Sequence, residues 1–516
     1  MAARSWNKKT AQTRIDRKIA ELPLKEIEIK EYVRETDLAG IGNKTAYRVD
    51  GAHIYADILN IDTMLGVTEI EGETCHKRTL RFLNLHYRAV DRIIKRVEAI
   101  FVDFHNQRLH AVVAKPYDDE SKRVHRAIAM GQLIIDVLAQ TAEESTDTPA
   151  DVRIGIDTGK ALAVNNGRRG HREPLFLGVP ANHAAKRASG GTVVGIYLTN
   201  TARTEISLAN VTSEDTSPLT ASEIRASQDA ANLGVTADEI VKEWKEDLKV
   251  NPIGAFEFSG HTPPFNTLEF DSLSPKNSRR QEAVSVYADL DKFTAYVGAN
   301  IATDENAKHV VRSLHALRAE LDAVLHEDFK GRKVRFIGDC IHGLLVEGTA
   351  QTTAAEESIS NMTLCAAAMR SSFNLTLERL KANGTTADLG LAIGFEYGPM
   401  TATRLGIKGG LVRCSVSRGV IASEEEQCDC NGRQTKIGQT AYDNASKAVQ
   451  ELFGSTRKAT DLTYDTALDQ LSAKQDKVAK AVKAAAASLL QPVSTAAAPL
   501  TFPKRPAGPA KDDGFA

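Results

Sequence analysis

Val284-Ser285-Val286-Tyr287-Ala288-Asp289-Leu290-Asp291-Lys292-Phe293-Thr294 begins as an apolar run that an aspartate interrupts. Its first seven positions predict a buried strand, because β-branched and aromatic residues are frequent among them. A buried carboxylate such as that of Asp289 needs a partner, since burying an unpaired charge is costly. The segment Phe336-Ile337-Gly338-Asp339 places a second carboxylate at the turn of a predicted hairpin. Together the two aspartates predict a site for two divalent cations, although each alone also fits an ordinary turn or cap.

The order of elements around this stretch occurs twice in the chain. Tyr55-Ala56-Asp57 corresponds to Tyr287-Ala288-Asp289, and Arg108-Leu109-His110-Ala111 corresponds to Cys340-Ile341-His342-Gly343. Around both sets the periodicity predicts strand–helix–strand–strand–helix–strand. Self-similarity on this scale indicates a tandem duplication of an α+β domain.

The composition is typical of a globular chain with at least two domains: 516 residues, 42% hydrophobic and 26% charged. Lys and Arg number 65 against 67 Asp and Glu, a formal net charge of −2, so neither nucleic acid nor a membrane is expected as a partner. The six cysteines include no Cys-x-x-Cys pair, and the basic first residues lack the apolar core of a secretion signal. These features predict a cytoplasmic protein.

Four segments flank or join the two copies. Residues 1–44 are expected to form a helical extension, because the polar stretch 11–50 has a helical pattern. Residues 206–280 are a predicted linker with a helix around 220–248. Residues 446–490 are rich in Ala and Lys and predicted to be helical, whereas residues 491–516 are rich in Pro and Ala and predicted to be a disordered tail.

Taken together, these motifs resemble those of the class III nucleotidyl cyclases. The shared features are Asp-x-x-x-Phe-Thr after a first strand, Gly-Asp at a hairpin, and a later helix followed by a Gly-x-x-x-Gly strand. The resemblance covers residues 45–205 and 281–445. It implies two ferredoxin-like domains packed head to tail as a pseudo-heterodimer, with active sites at their shared interface.

In the second copy the resemblance implies the metal half of a site. Asp289 and Asp339 stand at the positions that hold two Mn²⁺ or Mg²⁺ ions, and Leu290 stands where a backbone carbonyl joins one ion. Phe293 and Thr294 stand where backbone amides contact phosphate, and Lys292 replaces the usual glycine before the phenylalanine.

In the first copy the resemblance implies the complementary half. Asn182 stands at the position that orients the ribose, and Lys186 stands one helical turn later, where an arginine usually meets the reacting phosphate. The adjacent Arg187 is the alternative cation. The remaining halves are incomplete: residues 415–421 contain no asparagine–cation pair, and Gln107 replaces a metal carboxylate in the first copy. One complete site is therefore expected.

The positions at which the family reads a purine have changed. Asp103 replaces a lysine and Leu175 replaces an aspartate, which resembles the pyrimidine cyclases of the bacterial Pycsar anti-phage system. Tyr55 lies on the strand face of Asp57 and is expected either to shrink the base pocket or to pack at the domain interface. Asp103 can accept from uracil N3–H or from the cytosine amino group, so UTP and CTP both stay open.

The resemblance implies a metal-dependent conversion of UTP or CTP into cyclic UMP or cyclic CMP and pyrophosphate. It further implies that a separate cyclic-nucleotide-binding effector reads the product in anti-phage defence. Two alternatives stay open: an adenylyl cyclase with divergent base contacts, and a catalytically silent module that binds nucleotide.

Overall fold

The structure, a computed structural model, describes residues 4–34, 36–38, 40–66, 68, 70–141, 149–166, 174–407 and 410–489. Its strands are β1 (Glu28–Glu31), β2 (Thr45–Ile58), β3 (Ile100–His105), β4 (Arg108–Val113), β5 (Val152–Asn165), β6 (Pro174–Leu177), β7 (Gly195–Leu198), β8 (Phe258–Ser259), β9 (Ser278–Asp291), β10 (Arg332–Ile337), β11 (Cys340–Leu345), β12 (Gly390–Leu405), β13 (Val412–Cys414), β14 (Gln434–Ile437) and β15 (Lys458–Thr460). Its helices are α1 (Lys8–Glu21), α2 (Ile61–Leu65), α3 (Glu73–Val97), α4 (Glu120–Leu138), α5 (Val179–Ser189), α6 (Asn200–Glu205), α7 (Ala221–Ala231), α8 (Ala237–Val250), α9 (Phe293–Asn300), α10 (Asp304–Ala323), α11 (Ala355–Ala382), α12 (Arg418–Cys428), α13 (Gln439–Asp443), α14 (Lys447–Phe453), α15 (Tyr464–Ala473) and α16 (Lys477–Leu489).

The elements β2 to α6 form the first ferredoxin-like unit, here called domain 1. Its sheet runs β3-β4-β2-β5, and β2 pairs antiparallel with both of its neighbours. Alternate residues of β2 such as Ile54 and Ile58 are buried against α3 and α4 on one face of the sheet. The helix α5 lies on the other face. It can pack closely there because Gly155 has no side chain, and a Cβ at that position would collide with the Ala184 carbonyl.

The elements β9 to β14 repeat this arrangement as domain 2. The sheet runs β10-β11-β9-β12, with α10 and α11 on one face and α12 on the other. Gly394 occupies the place of Gly155, and a Cβ there would collide with the Gln427 backbone of α12. The predicted α+β architecture of two tandem ferredoxin-like domains is confirmed.

Some elements outside the two copies differ from the expectation. Helix accounts for only part of residues 11–50, because β1 pairs parallel with β2. The helix expected around 220–248 is two helices, α7 and α8, and α7 ends at Asn232 with a left-handed φ of 41°. Within 446–490 the strand β15 pairs with β14 and extends the sheet of domain 2. The tail predicted at 491–516 lies outside the described residues.

The helix α1 crosses over to domain 2, although it precedes domain 1 in the chain. Ala11, Ile15 and Ile19 are buried in the core of domain 2 beside α10 and α11. The Trp6 indole N–H donates to Ser372 Oγ over 2.7 Å in the same place. The N-terminal segment therefore ties the two domains together.

The linker helices α7 and α8 instead cover domain 1. The Trp244 side chain is buried against α3, and its indole N–H donates to the Leu85 carbonyl over 3.1 Å. Among the described residues, no helix combines the length and the apolar character that a membrane crossing requires.

Candidate active site

A cavity of about 250 Å³ lies between the two domains. Residues from both predicted half-sites line it, namely Tyr55, Asp103, Leu175 and Asn182 from domain 1 and Asp289, Phe293, Thr294 and Asp339 from domain 2. Asn182 Nδ2 donates to Thr294 Oγ1 over 2.5 Å, from one domain to the other. The residues assigned to the two half-sites thus share one cleft.

The two metal-binding candidates lie where β9 and the β10–β11 hairpin diverge. The last paired residue of β9 on that side is Ala288, so Asp289 lies beside the turn that carries Asp339. Burial raises the pKa of Asp289, and the nearby charges of Asp291 and Glu424 raise it further. Burial also raises the pKa of Asp339, and the nearby charge of Asp289 raises it further.

This donor set fits divalent cations. Carboxylate oxygens are the ligands that Mg²⁺ and Mn²⁺ prefer, and a cation would stabilise the ionised form of two carboxyls that otherwise disfavour each other's charge. The described part of the chain holds no group of three or more His, Cys, Asp or Glu side chains arranged for a metal ion. Further ligands would therefore come from the backbone, from water or from substrate phosphates, and the carbonyl of Leu290 stays a prediction.

The helix α9 begins at the edge of the cavity. Lys292 precedes it with a left-handed φ of 64°, a conformation that glycine adopts more readily than any residue with a side chain. Phe293 and Thr294 then open the helix, and the amides of a first helical turn have no acceptor within the helix. Such N–H groups favour an anion, which agrees with the predicted phosphate contact.

Asn182 lies in the first turn of α5, which Gly155 allows to sit directly on β5. Its Oδ1 atom is buried and has no hydrogen-bond partner within the described residues. An unsatisfied acceptor in a cleft is costly in the free protein and is available to a ligand hydroxyl.

The two candidate phosphate-binding cations have different surroundings. The Arg187 guanidinium is ion-paired with Glu214 at 2.5 Å and with Asp215 at 3.2 Å. Lys186 is exposed one turn after Asn182, outside the set of residues that line the cavity. A phosphate would have to displace two carboxylates to reach Arg187, so Lys186 is the better candidate.

Tyr55 fits both of the interpretations made from the sequence. It lines the cavity, and its ring stacks on His110 with centroids 4.1 Å apart and planes at 15°. Tyr287 repeats this stacking on His342 at 4.4 Å, and its hydroxyl accepts from Asn106 Nδ2 over 3.0 Å. The stacking is thus a packing feature of both domains, whereas Tyr55 also narrows the cleft.

Asp103 lies in β3, three residues before the turn of its hairpin. The turn residue Asn106 has a φ of 49°, and Gly338 of domain 2 has a φ of 58°. Asn106 therefore corresponds to Gly338, which is the alignment of the two hairpins on which the sequence-based prediction for Asp103 rests. The Asp103 carboxylate lies 3.2 Å from an Arg335 nitrogen of domain 2 and 3.4 Å from His105 Nδ1. A carboxylate offers about four lone-pair sites, which leaves acceptor capacity for a base.

At the opposite, pseudo-symmetric position an arginine holds the carboxylates. Arg108 Nε donates to Asp57 over 3.1 Å within domain 1, and its Nη1 donates to Glu424 of α12 over 2.5 Å. Asp57 and Gln107 take the places that the metal-binding candidates take in domain 2. A fixed guanidinium beside one carboxylate and one amide does not fit a pair of divalent cations.

The helix α12 also lacks the partners of a nucleotide. Counted from the first residues of α5 and α12, Ile421 and Glu425 stand at the positions of Asn182 and Lys186. A carboxylate in place of an ammonium repels phosphate. Within the described residues, the elements expected of the site come together once.

Several of the residues that line the cavity were not predicted from the sequence. Asn166, directly after β5, and Glu424, within α12, line the cavity, but neither belongs to a motif that would mark it in the sequence. His110 did carry a signal, because a Tyr–His pair recurs at the same spacing in both copies.

Comparison with known proteins agrees with this geometry. The family model described as "Adenylate and Guanylate cyclase catalytic domain" matches residues 54–228 and 276–438. A relative from Pseudomonas aeruginosa named "Uridylate cyclase" is 57% identical over 94% of this chain and 95% of its own length. Another protein of that name, from a Rhizobium species, is 40% identical over 79% of this chain and 81% of its own length.

A crystal structure described as a class III adenylyl cyclase-like ATP-binding protein from Pseudomonas aeruginosa has the same architecture. It shares 57% sequence identity and a TM-score of 0.89, covering 91% of this chain and 100% of that one. With two matched segments, the repeated ferredoxin-like topology and one shared cleft, the chain belongs to the adenylate and guanylate cyclase catalytic domain family, the class III nucleotidyl cyclases.

Proposed function

We propose that this protein is a uridylate cyclase, which converts UTP into 3′,5′-cyclic UMP and pyrophosphate. The observation that carries the proposal is the composite cleft, in which Asn182 of domain 1 donates to Thr294 of domain 2 and shares the cavity lining with Asp289 and Asp339. The choice of uracil is supported by the names of the two relatives.

The proposed reaction is an in-line displacement. The ribose 3′-oxygen attacks the α-phosphorus, the bond from that phosphorus to the bridging oxygen breaks, and the 3′-hydroxyl proton passes to solvent. Two Mn²⁺ or Mg²⁺ ions, when bound, would ease deprotonation of the hydroxyl and neutralise the leaving pyrophosphate. Asp289 and Asp339 are the residues that would hold these ions, with the Leu290 carbonyl as a further ligand.

The other residues position the substrate. Asn182 accepts from a ribose hydroxyl through its unpartnered Oδ1, which aligns the 3′-oxygen for attack. The Lys186 ammonium stabilises the charge that develops on the phosphoryl oxygens. The amides of Phe293 and Thr294 bind the outer phosphates at the start of α9.

The base lies, in this proposal, between Tyr55 and Asp103. Tyr55, which lines the cavity and is held by stacking on His110, would narrow the base pocket to favour a six-membered ring over a fused purine. Asp103 would accept from N3–H of uracil. We further propose that the product is a cytoplasmic anti-phage signal, read by a separate cyclic-nucleotide-binding effector.

Incubation of the purified protein with each of the four nucleoside triphosphates and Mn²⁺, followed by mass identification of the products, tests the assignment. Cyclic UMP is expected as the main product. A predominance of cyclic AMP would favour an adenylyl cyclase, to which the description of the similar crystal structure as ATP-binding points. Nucleotide binding in calorimetry without any cyclic product would identify a silent module.

A further inference from the structure

Asn166 is a buried polar residue of the cavity that the reaction scheme does not use. It directly follows β5, is 3% exposed and lines the cavity together with Leu175. The pairing of β5 with β6 sets Val164 opposite Leu175, and Asn166, two positions beyond Val164, lies on the same face. Asn166 therefore borders the part of the cavity that Leu175 lines, which is where the resemblance to the class III cyclases implies that the base lies.

The orientation of the Asn166 amide is set from the other domain. Arg318 Nη2 of α10 donates to Asn166 Oδ1 over 3.0 Å. Because a guanidinium has only donors, this contact turns the amide oxygen toward Arg318 and the amide nitrogen away from it. Within the part of the chain that the structure describes, Asn166 Nδ2 has no acceptor.

Arg318 is itself held in place. It is 5% exposed, and its guanidinium carbon lies 3.9 Å from the centroid of the Phe336 ring. A buried cation stacked on an aromatic face has little rotational freedom, so the contact to Asn166 is a fixed constraint.

We infer that Asn166 selects uracil over cytosine by donating from Nδ2 to the O4 carbonyl of the base. Arg318 is the positioning residue that keeps this donor available. The inference rests on the proposed function and identifies what would discriminate its substrate from CTP.

The hydrogen-bonding edges of the two bases explain the selection. Uracil presents the acceptor O4 beside the donor N3–H, which matches a donor at Asn166 and an acceptor at Asp103. Cytosine presents an amino donor beside the acceptor N3, which opposes both residues. A mismatched base leaves buried polar groups unpaired, a large penalty in a closed site.

The substitution Asn166→Asp tests the inference, because it exchanges the donor for an acceptor at constant size and keeps a partner for Arg318. We expect the ratio of kcat/KM for UTP to that for CTP to fall at least tenfold. The matched control is Asn165→Asp, whose native side chain donates to the Ile41 carbonyl instead, and it should leave the ratio unchanged.

Two variants of Arg318 test its positioning role. Arg318→Gln supplies an amide that can accept as well as donate, so it should lower the UTP/CTP ratio without inverting it. Arg318→Lys retains a donor and should keep the UTP/CTP ratio close to that of the wild type. A purely structural role would lower kcat/KM for both nucleotides equally.

A binding measurement separates this inference from the proposed function. The probes are 3′-deoxy-UTP and 3′-deoxy-CTP, which cannot cyclise, titrated with Mn²⁺ present. Failure of the wild type to form cyclic UMP would refute the proposed function, whereas the binding ratio of the two probes still decides the role of Asn166. Equal wild-type affinities, or a ratio unaltered in Asn166→Asp, would overturn the inference.

Discussion

The two carboxylates at the end of β9 and in the β10–β11 turn make the sharpest prediction for single residues. Asp289→Asn or Asp339→Asn should lower cyclic-nucleotide formation by more than about 100-fold, because an amide cannot supply the charge that holds a divalent cation. The melting temperature without metal should not fall, since each substitution removes a buried like charge.

Asp291→Asn is the matched control for these variants. Asp291 lies on the same strand, accepts from the Gly432 amide over 2.9 Å and is outside the cavity lining, so most of the activity should persist. Wild-type activity in both Asp289→Asn and Asp339→Asn would refute the assignment of the metal site.

The raised pKa values of the same pair make Mn²⁺ binding pH-dependent. A raised pKa means that the protonated carboxyl persists to a higher pH, and protons compete with the cation for the same oxygens. Calorimetry should therefore show weaker Mn²⁺ binding at pH 6 than at pH 8. Equal affinities at the two values would show that these carboxyls titrate in their ordinary range.

Lys186 and Arg187 should respond differently to alanine. Lys186→Ala should lower kcat by roughly 10–100-fold with an unchanged melting temperature, because its ammonium acts only on charge that develops during the reaction. Arg187→Ala should instead lower the melting temperature, since the carboxylates of Glu214 and Asp215 lose their shared cationic partner. The reverse pattern would assign the phosphate contact to Arg187.

Among the elements, the β3–β4 hairpin and α12 meet through the Arg108 bridge to Asp57 and Glu424. Arg108→Ala should destabilise the protein by roughly 3 kcal/mol, because two largely buried carboxylates lose their shared cation. Differential scanning fluorimetry would measure the loss. Adding Asp57→Asn and Glu424→Gln should recover much of it, and no recovery would mean that the guanidinium acts through packing alone.

The duplicated elements were predictable and their contacts were not. The repeat of Tyr-Ala-Asp and the two hairpins predicted the positions of the strands. One copy lacks a metal carboxylate and the other lacks the asparagine–cation pair, and this predicted one composite site. The pairing of Arg318 with Asn166 had no such signal, because it joins residues of different domains whose spacing in sequence follows no period. The crossing of α1 to domain 2 was hidden for the same reason: an amphipathic helix shows which face it buries and not against what.

For the whole molecule, the N-terminal segment links the two domains, because α1 packs on α10 and α11 of domain 2 and β1 pairs with β2 of domain 1. Trp6→Ala should cost about 3–5 kcal/mol, because a buried indole and its hydrogen bond to Ser372 are lost. Hydrogen exchange should accelerate in α10 and α11, on which α1 packs. Lys9→Ala on the exposed face of α1 is the control and should change stability by less than about 0.5 kcal/mol.

The crossing of α1 also bears on how the protein is made. Translation releases α1 early, but the surface that receives Ala11, Ile15 and Ile19 is built from α10 and α11, near the other end of the chain. At a synthesis rate of about 5–20 residues per second, roughly tens of seconds pass before α10 and α11 have been made. During that time domain 1 is synthesised and the apolar face of α1 stays uncovered. A chaperone that shields the apolar face of an amphipathic helix on the ribosome should therefore raise the yield of native enzyme.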